Sequence, residues 1–209
     1  MIKGIKICGI SDLETLNYIL NHPNPPKFIG FICNFEKSKR YVSYEKLEKL
    51  LNVNKKSSSL VSVLVDPKEE TLEEMSNFNF DFFQLYDVNP KKTKSIKEKY
   101  KVKIITALTI SNQYDVERYK DYVGISDIFL FDGKGYEKSI SFDHGLLNTV
   151  PKSINKMLAG NIQYNDKLDK YSKITDIIDI SGSLETSGEK DISKIKIFLE
   201  NISKIKNEN

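Results

Sequence analysis

The chain has 209 residues, 39% hydrophobic and 29% charged, the balance of a globular protein with one sizeable core. Its 32 basic and 29 acidic residues leave a net charge of +3; basic and acidic residues alternate, as in YEKLEKLLNVNKK from Tyr44, which argues against a nucleic-acid surface. Two cysteines, Cys8 and Cys33, no leader-like start and no apolar run near the ~20 residues of a membrane helix indicate a reducing, cytoplasmic setting without a membrane span.

In chain order, short apolar runs alternate with amphipathic segments. Ile2–Cys8 reads as a strand, and SDLE at Ser11–Glu14 has the form of a capping box before a helix with Leu13, Leu16 and Leu20 inward. Phe28–Cys33 is the second strand, followed by a helix from Ser43 that turns Leu47, Leu50 and Leu51 inward. Ser59–Val65 precedes a helix at Thr71–Phe78. Phe82–Leu85 precedes one at Pro90–Tyr100, and Val102–Leu108 one at Gln113–Tyr122. Asp127–Phe131 precedes a helix at Asp143–Val150, and Met157–Gly160 a short one at Asp166–Tyr171. Asp176–Ile180 leads to a last helix from Asp191 to about Ile205, with Ile192, Ile195, Phe198, Ile202 and Ile205 on one side.

Eight strand–helix units with uniformly apolar strands predict a parallel sheet covered on both faces. The expected fold is α/β, a single (β/α)8 TIM barrel over residues 1–209. A doubly wound open sheet competes, but no G-x-G-x-x-G follows the first strand.

Barrel active sites gather at the C-terminal strand ends. Those ends carry Cys8-Gly9, Gln84, Asp132, Gly160-Asn161, and Asp179 with Ser181-Gly182-Ser183; the loop after the second strand carries Arg40. Cys8 is a candidate nucleophile or base, and Asp132 a candidate acid. Arg40 is suited to a two-point grip on a carboxylate, and the small residues after the last two strands to a phosphate. Each has a plainer reading: a buried small thiol, an Asp-Gly turn, a surface arginine, a loop. Neither His22 nor His144 has a partner at metal-ligand spacing, so no metal is expected.

KICGI at Lys6–Ile10, GFI at Gly30–Ile32, KSKRYVS at Lys37–Ser43, QL at Gln84-Leu85, FDG at Phe131–Gly133, LAG at Leu158–Gly160 and DISGSLETSGEKDISKI at Asp179–Ile195 follow in that order. The series resembles the phosphoribosylanthranilate isomerase family of tryptophan biosynthesis, from residue 2 to about residue 198. The first and last motifs are the most specific.

The resemblance implies a barrel enzyme that rearranges N-(5-phosphoribosyl)anthranilate to 1-(o-carboxyphenylamino)-1-deoxyribulose 5-phosphate without a cofactor. It implies Cys8 as the base at ribose C2 and Asp132 as the acid at the ring oxygen. A thiol needs only a modest downward shift for that role. Arg40 becomes the anthranilate carboxylate clamp. Gly160 and Ser181, Gly182 and Ser183 become the phosphate cradle, with Gln84, Asn161 and Asp179 as further substrate contacts. The expected partner is one small phosphorylated molecule, and the expected assembly a monomer or homodimer.

The chain departs from the family pattern in four places. It has Gly160-Asn161 for Gly-Gly, Gln84-Leu85-Tyr86-Asp87 for Gln-Leu-His-Gly, fewer glycines across Gly133–Ser141, and Ser-Gly-Ser for Ser-Ser-Gly. These touch loop closure and the phosphate cradle; acid and base are intact. The competing functions are another sugar-phosphate isomerase, such as that of the histidine pathway, and a non-catalytic phosphate-binding barrel.

Overall fold

In a strand, side chains alternate between the two faces. The first strand, β1 (Gly4–Cys8, GIKIC), therefore turns Ile5 and Ile7 one way and Lys6 and Cys8 the other. The same alternation runs through β2 (Phe28–Ile32), β3 (Ser59–Val65), β4 (Phe82–Tyr86), β5 (Lys103–Ile110), β6 (Ile128–Gly133), β7 (Lys156–Leu158) and β8 (Ile177–Ile180). Each strand pairs in parallel with the next, and β8 pairs with β1 through Lys6↔Asp179 and Ile7↔Ile180. The sheet is a closed (β/α)8 barrel, not an open one. This computed structural model describes residues 2–135 and 141–207, with backbone alone for 202–207.

Closure creates two cores. Inside the barrel, Phe28, Val61, Phe82, Ile105, Ile128, Leu130, Met157 and Ile177 pack together. Outside, Ile5, Ile7, Leu64 and Ile104 meet Leu16, Leu47, Leu72, Ile96 and Phe198 of the helical ring. The helices are α1 (Leu13–Asn21), α2 (Tyr44–Leu51), α3 (Glu69–Ser76), α4 (Pro90–Tyr100), α5 (Gln113–Glu117) and α6 (Ile192–Asn207). Among the described residues no helix is long and apolar enough to cross a membrane.

β3 and α4 have their expected bounds. Asn89 caps α4 by accepting from Lys92 N, and Pro90 supplies its first residue, where a missing N–H costs nothing. Elsewhere the structure corrects the reading. Asp12, not Ser11, caps α1, accepting from Thr15 N at 2.7 Å; Leu13 is then 42% exposed and Ile19 turns inward. The helix α3 starts two residues early, and α5 tightens into a 3-10 turn at Arg118–Tyr122. The segments expected as helices after β6 and β7 are 3-10 turns, His144–Thr149 and Leu168–Tyr171. These isolated turns of six and four residues are too short to offset the cost of α-helix nucleation, whereas α5 has a capping box at Asn112 and runs on into Arg118–Tyr122.

The hairpin of β9 (Glu185–Thr186) and β10 (Glu189–Lys190) was not foreseen. The side chains of Ile202 and Ile205 lie outside the described residues. So does part of the glycine-poor loop after β6, residues 136–140.

Candidate active site

The inward parity of each strand continues upward from the apolar filling into polar groups. Lys6 is followed by Cys8, Phe82 by Gln84 and Tyr86, Leu130 by Asp132, and Ile177 by Asp179. These upper residues border a cavity of about 500 Å³ at the C-terminal face. Cys8, Gln84, Asp132 and Asp179 line it from four strands. Arg40, Gly160, Asn161, Ser181, Gly182 and Ser183 line it from the connections after the strands, and Tyr86 of β4 and Glu185 of β9 also border it. Ile32, Phe35, Val63 and Val65 give it one apolar wall.

Cys8 is 8% exposed. Burial raises its pKa above the ordinary 9.0, against a smaller downward pull from the Lys6 ammonium. The expected downward shift is therefore not found: the thiol is too deep for one cation to offset its desolvation. The two groups are close neighbours. A carbon added at Gly30 would stand 2.8 Å from Cys8 Sγ and 3.2 Å from Lys6 Nζ.

Lys6 is completely buried and donates to Asp179 Oδ2 at 2.9 Å. Burial alone would lower the pKa of its ammonium, but Asp179 and then Cys8 hold it above the usual value. Asp179, expected among the substrate contacts, is thus first of all the counter-ion of Lys6. Among the described residues its Oδ1 is buried without a hydrogen-bond partner, as are Gln84 Oε1 and Ser183 Oγ. Three such polar atoms around one cavity are costly unless a ligand supplies partners.

Tyr86 donates its hydroxyl to Asp132 Oδ2 at 2.9 Å. Arg40 forms a two-point fork on Glu185, Nε to Oε1 at 2.6 Å and Nη2 to Oε2 at 2.9 Å. Arg40 already grips a carboxylate of its own chain. Lys190 also reaches Glu185. Burial acts to raise the Glu185 pKa, but Arg40 and Lys190 together hold it below the usual carboxylate value.

Gly9 makes this approach possible. It lies at φ +74°, and a carbon added there would stand 2.5 Å from Arg40 Cδ. The glycine behind Cys8 makes room for the arginine. Gly160 and Asn161 both adopt left-handed backbone, φ +90° and +55°, so the turn survives the loss of the second glycine. His144 Nε2 lies 3.1 Å from the Gly160 carbonyl, and Gln163 Nε2 donates to Asn161 Oδ1 at 3.1 Å. Ser181 Oγ donates to the Cys8 carbonyl at 2.9 Å, which ties the end of β8 to that of β1.

Sequence reading passed over Lys6, Tyr86, Glu185 and Lys190. Lys6 and Tyr86 carried a signal, since each stands two residues from a selected strand residue and shares its face. Glu185 and Lys190 lie in the last family motif, but that Glu185 meets Arg40, 145 residues away, and Lys190 meets Glu185 depends on the fold. Among the described residues no cluster of three or more His, Cys, Asp or Glu could hold a metal ion.

The family model described as N-(5'phosphoribosyl)anthranilate (PRA) isomerase matches residues 5–201. The N-(5'-phosphoribosyl)anthranilate isomerase of Rhizobium etli is 33% identical over 96% of this chain and 94% of its own length. The crystal structure of phosphoribosyl anthranilate isomerase from Thermotoga maritima superposes with a TM-score of 0.85 at 26% identity, covering 98% of this chain and all of that one. A structure of such an isomerase in complex with reduced 1-(o-carboxyphenylamino)-1-deoxyribulose 5-phosphate superposes with a TM-score of 0.82 at 25% identity, over the same shares of the two chains.

Proposed function

The chain belongs to the N-(5'-phosphoribosyl)anthranilate isomerase family, and from that premise we propose that Cys8 and Asp132 are the base and acid of its reaction. The protein is an isomerase of tryptophan biosynthesis. On our reading Asp132 protonates the furanose ring oxygen of N-(5'-phosphoribosyl)anthranilate. The C1–O bond breaks, and the anthranilate nitrogen takes up the positive charge as an iminium. Cys8, as thiolate, then removes the proton from C2. The electron pair moves toward the iminium nitrogen and gives an enolamine, which tautomerises to the 2-ketone. The substrate's own nitrogen is the electron sink, so the step needs no added cofactor.

One observation carries this reading: Cys8 and Asp132, selected as strand ends 124 positions apart, line the same cavity as Arg40 and the Gly160 and Ser181–Ser183 loops. Lys6 Nζ pulls Cys8 toward the thiolate against its burial, so the base acts from the minor deprotonated fraction of the thiol, and the charge of Lys6 is held by Asp179. The apolar wall beside Arg40 suits an aromatic ring bearing a carboxylate. The left-handed turn at Gly160-Asn161 and the buried Ser183 hydroxyl suit the phosphate end. Two free thiols fit a reducing cytoplasm.

The test is turnover of the substrate, followed by loss of its fluorescence, in the parent, Cys8→Ala and Asp132→Asn. The reading expects conversion by the parent and a loss of at least about 100-fold in kcat for each variant. Near-parental turnover in either variant would remove that residue from its role.

A further inference from the structure

We propose that Tyr86 is the positioning residue of the acid: its hydroxyl holds Asp132 Oδ2 and fixes the carboxyl group that delivers the proton to the substrate. The inference rests on the reading of Asp132 as the acid.

Tyr86 is the last residue of β4 and Asp132 lies near the end of β6, with β5 between them. The hydrogen bond therefore spans a whole strand. It can do so because the intervening inward residue is small: Ala107 of β5 is in register with Tyr86 on one side and Leu130 on the other. Tyr86 and Ala107 belong to the same interior cluster, and the tyrosine hydroxyl meets the carboxyl group at 2.9 Å.

A phenol has one proton to give. Tyr86 is 8% exposed. Burial first, then the acidic groups of Asp132 on β6, Asp179 on β8 and Cys8 on β1, keep its pKa well above the usual 10. Tyr86 is thus a donor throughout the working range. The other carboxyl oxygen of Asp132, Oδ1, lies toward Gly160, 3.6 Å from where a side chain there would begin. It is the side of the cavity bordered by the β7 and β8 loops. Fixing Oδ2 removes the rotation of the carboxyl group that would exchange the two oxygens. Proton delivery depends steeply on such placement.

The bond has a second consequence. A donor to the carboxylate favours its charged form. Removing the phenol hydroxyl therefore raises the Asp132 pKa while releasing its orientation.

The experiment compares the parent with Tyr86→Phe, 3-fluorotyrosine at position 86 and Asp132→Asn as functions of pH. Tyr86→Phe keeps the ring and removes only the donor. It should lower kcat between about 10-fold and 100-fold with KM within about threefold, and should move the pH-profile limb set by Asp132 to higher pH. 3-Fluorotyrosine keeps the shape and makes the phenol a stronger donor, so it should keep most of kcat and move the same limb to lower pH. A parental kcat and unmoved limb in Tyr86→Phe, with Asp132→Asn inactive, would overturn the positioning role alone. A parent without turnover, or an active Asp132→Asn, would instead overturn the acid itself. Should Tyr86→Phe not fold, 3-fluorotyrosine decides: a limb moved to lower pH supports the donor, and an unmoved limb overturns it.

Discussion

Lys6 Nζ lies 2.9 Å from Asp179 Oδ2 inside the barrel, and the two side chains are 0% and 6% exposed. The pair joins β1 to β8 at the seam that closes the sheet. Each charge is tolerable only because of the other. Lys6→Met should cost about 3–5 kcal/mol, because it leaves Asp179 buried and unpaired. Lys6→Met combined with Asp179→Val should recover most of that stability and remain inactive. Urea unfolding of the three proteins gives the comparison; a loss below about 1 kcal/mol in the single variant would mean the pair is not mutually dependent.

The two thiols set a stability limit on the alkaline side. Burial raises the pKa of Cys8 above 9.0 and that of Cys33 to about 12. Both folded values exceed the unfolded ones, so the folded state holds more protons once pH passes the unfolded thiol value. The Cys33 contribution is then complete below about pH 9 and is lost as pH rises toward 12, by about 1.4 kcal/mol per pH unit, and Cys8 adds a loss of the same sign. Cys33→Ala should flatten this fall. An equal slope in parent and variant would show that Cys33 ionises freely in the folded protein.

Thiolate absorbance separates Cys8 from Cys33. The difference between parent and Cys8→Ala should show a thiolate appearing only above pH 9 in the free protein. Lys6→Gln should move it higher still, because the ammonium pulls the Cys8 pKa down. A thiolate at pH 7 in the parent would show that Lys6 outweighs burial.

Arg40 grips with a planar fork, as the Glu185 contacts show. Arg40→Lys keeps the charge and loses the geometry. It should raise KM by about tenfold or more, equivalent to about 1.4 kcal/mol, and leave kcat within a few-fold. A KM equal to the parent's would mean that charge alone serves at this position.

Gly9→Ala tests the space behind Cys8. The new carbon would stand 2.5 Å from Arg40 Cδ, at a φ of +74°. Strain of about 1–3 kcal/mol should follow, with Arg40 displaced. The melting temperature and KM should both change; a variant identical to the parent in both would show that the arginine stem moves freely.

Much of this molecule is legible along the chain. The run Ser59–Val65 has the β-branched content of a buried strand, and Pro90–Tyr100 carries its own cap and first-turn proline. The alternation of runs was enough to give a (β/α)8 barrel. Strand ends identified Cys8, Gln84, Asp132 and Asp179, because parity and strand length are local properties. The short returns after β6 and β7 were misread as α-helices, since apolar spacing alone does not register that a segment is too short to nucleate one.

What the chain order could not disclose is who meets whom across the barrel. Lys6 with Asp179, Arg40 with Glu185, and Tyr86 with Asp132 are 173, 145 and 46 positions apart. Lys6 with Asp179 and Tyr86 with Asp132 depend on strand register, since a one-residue slip would turn either partner to the opposite face, and Arg40 with Glu185 depends on the approach of two connections at the top of the barrel. The sequence by itself determined which residues stand at the strand ends and face inward, through a period of two that any strand imposes. Only the closed barrel decided that Cys8 sits deep enough to hold its proton, that Arg40 is already forked on a carboxylate, and that Ala107 leaves Tyr86 room to reach Asp132. Those outcomes depend on desolvation and on distances between strands, which exist only after the sheet has closed.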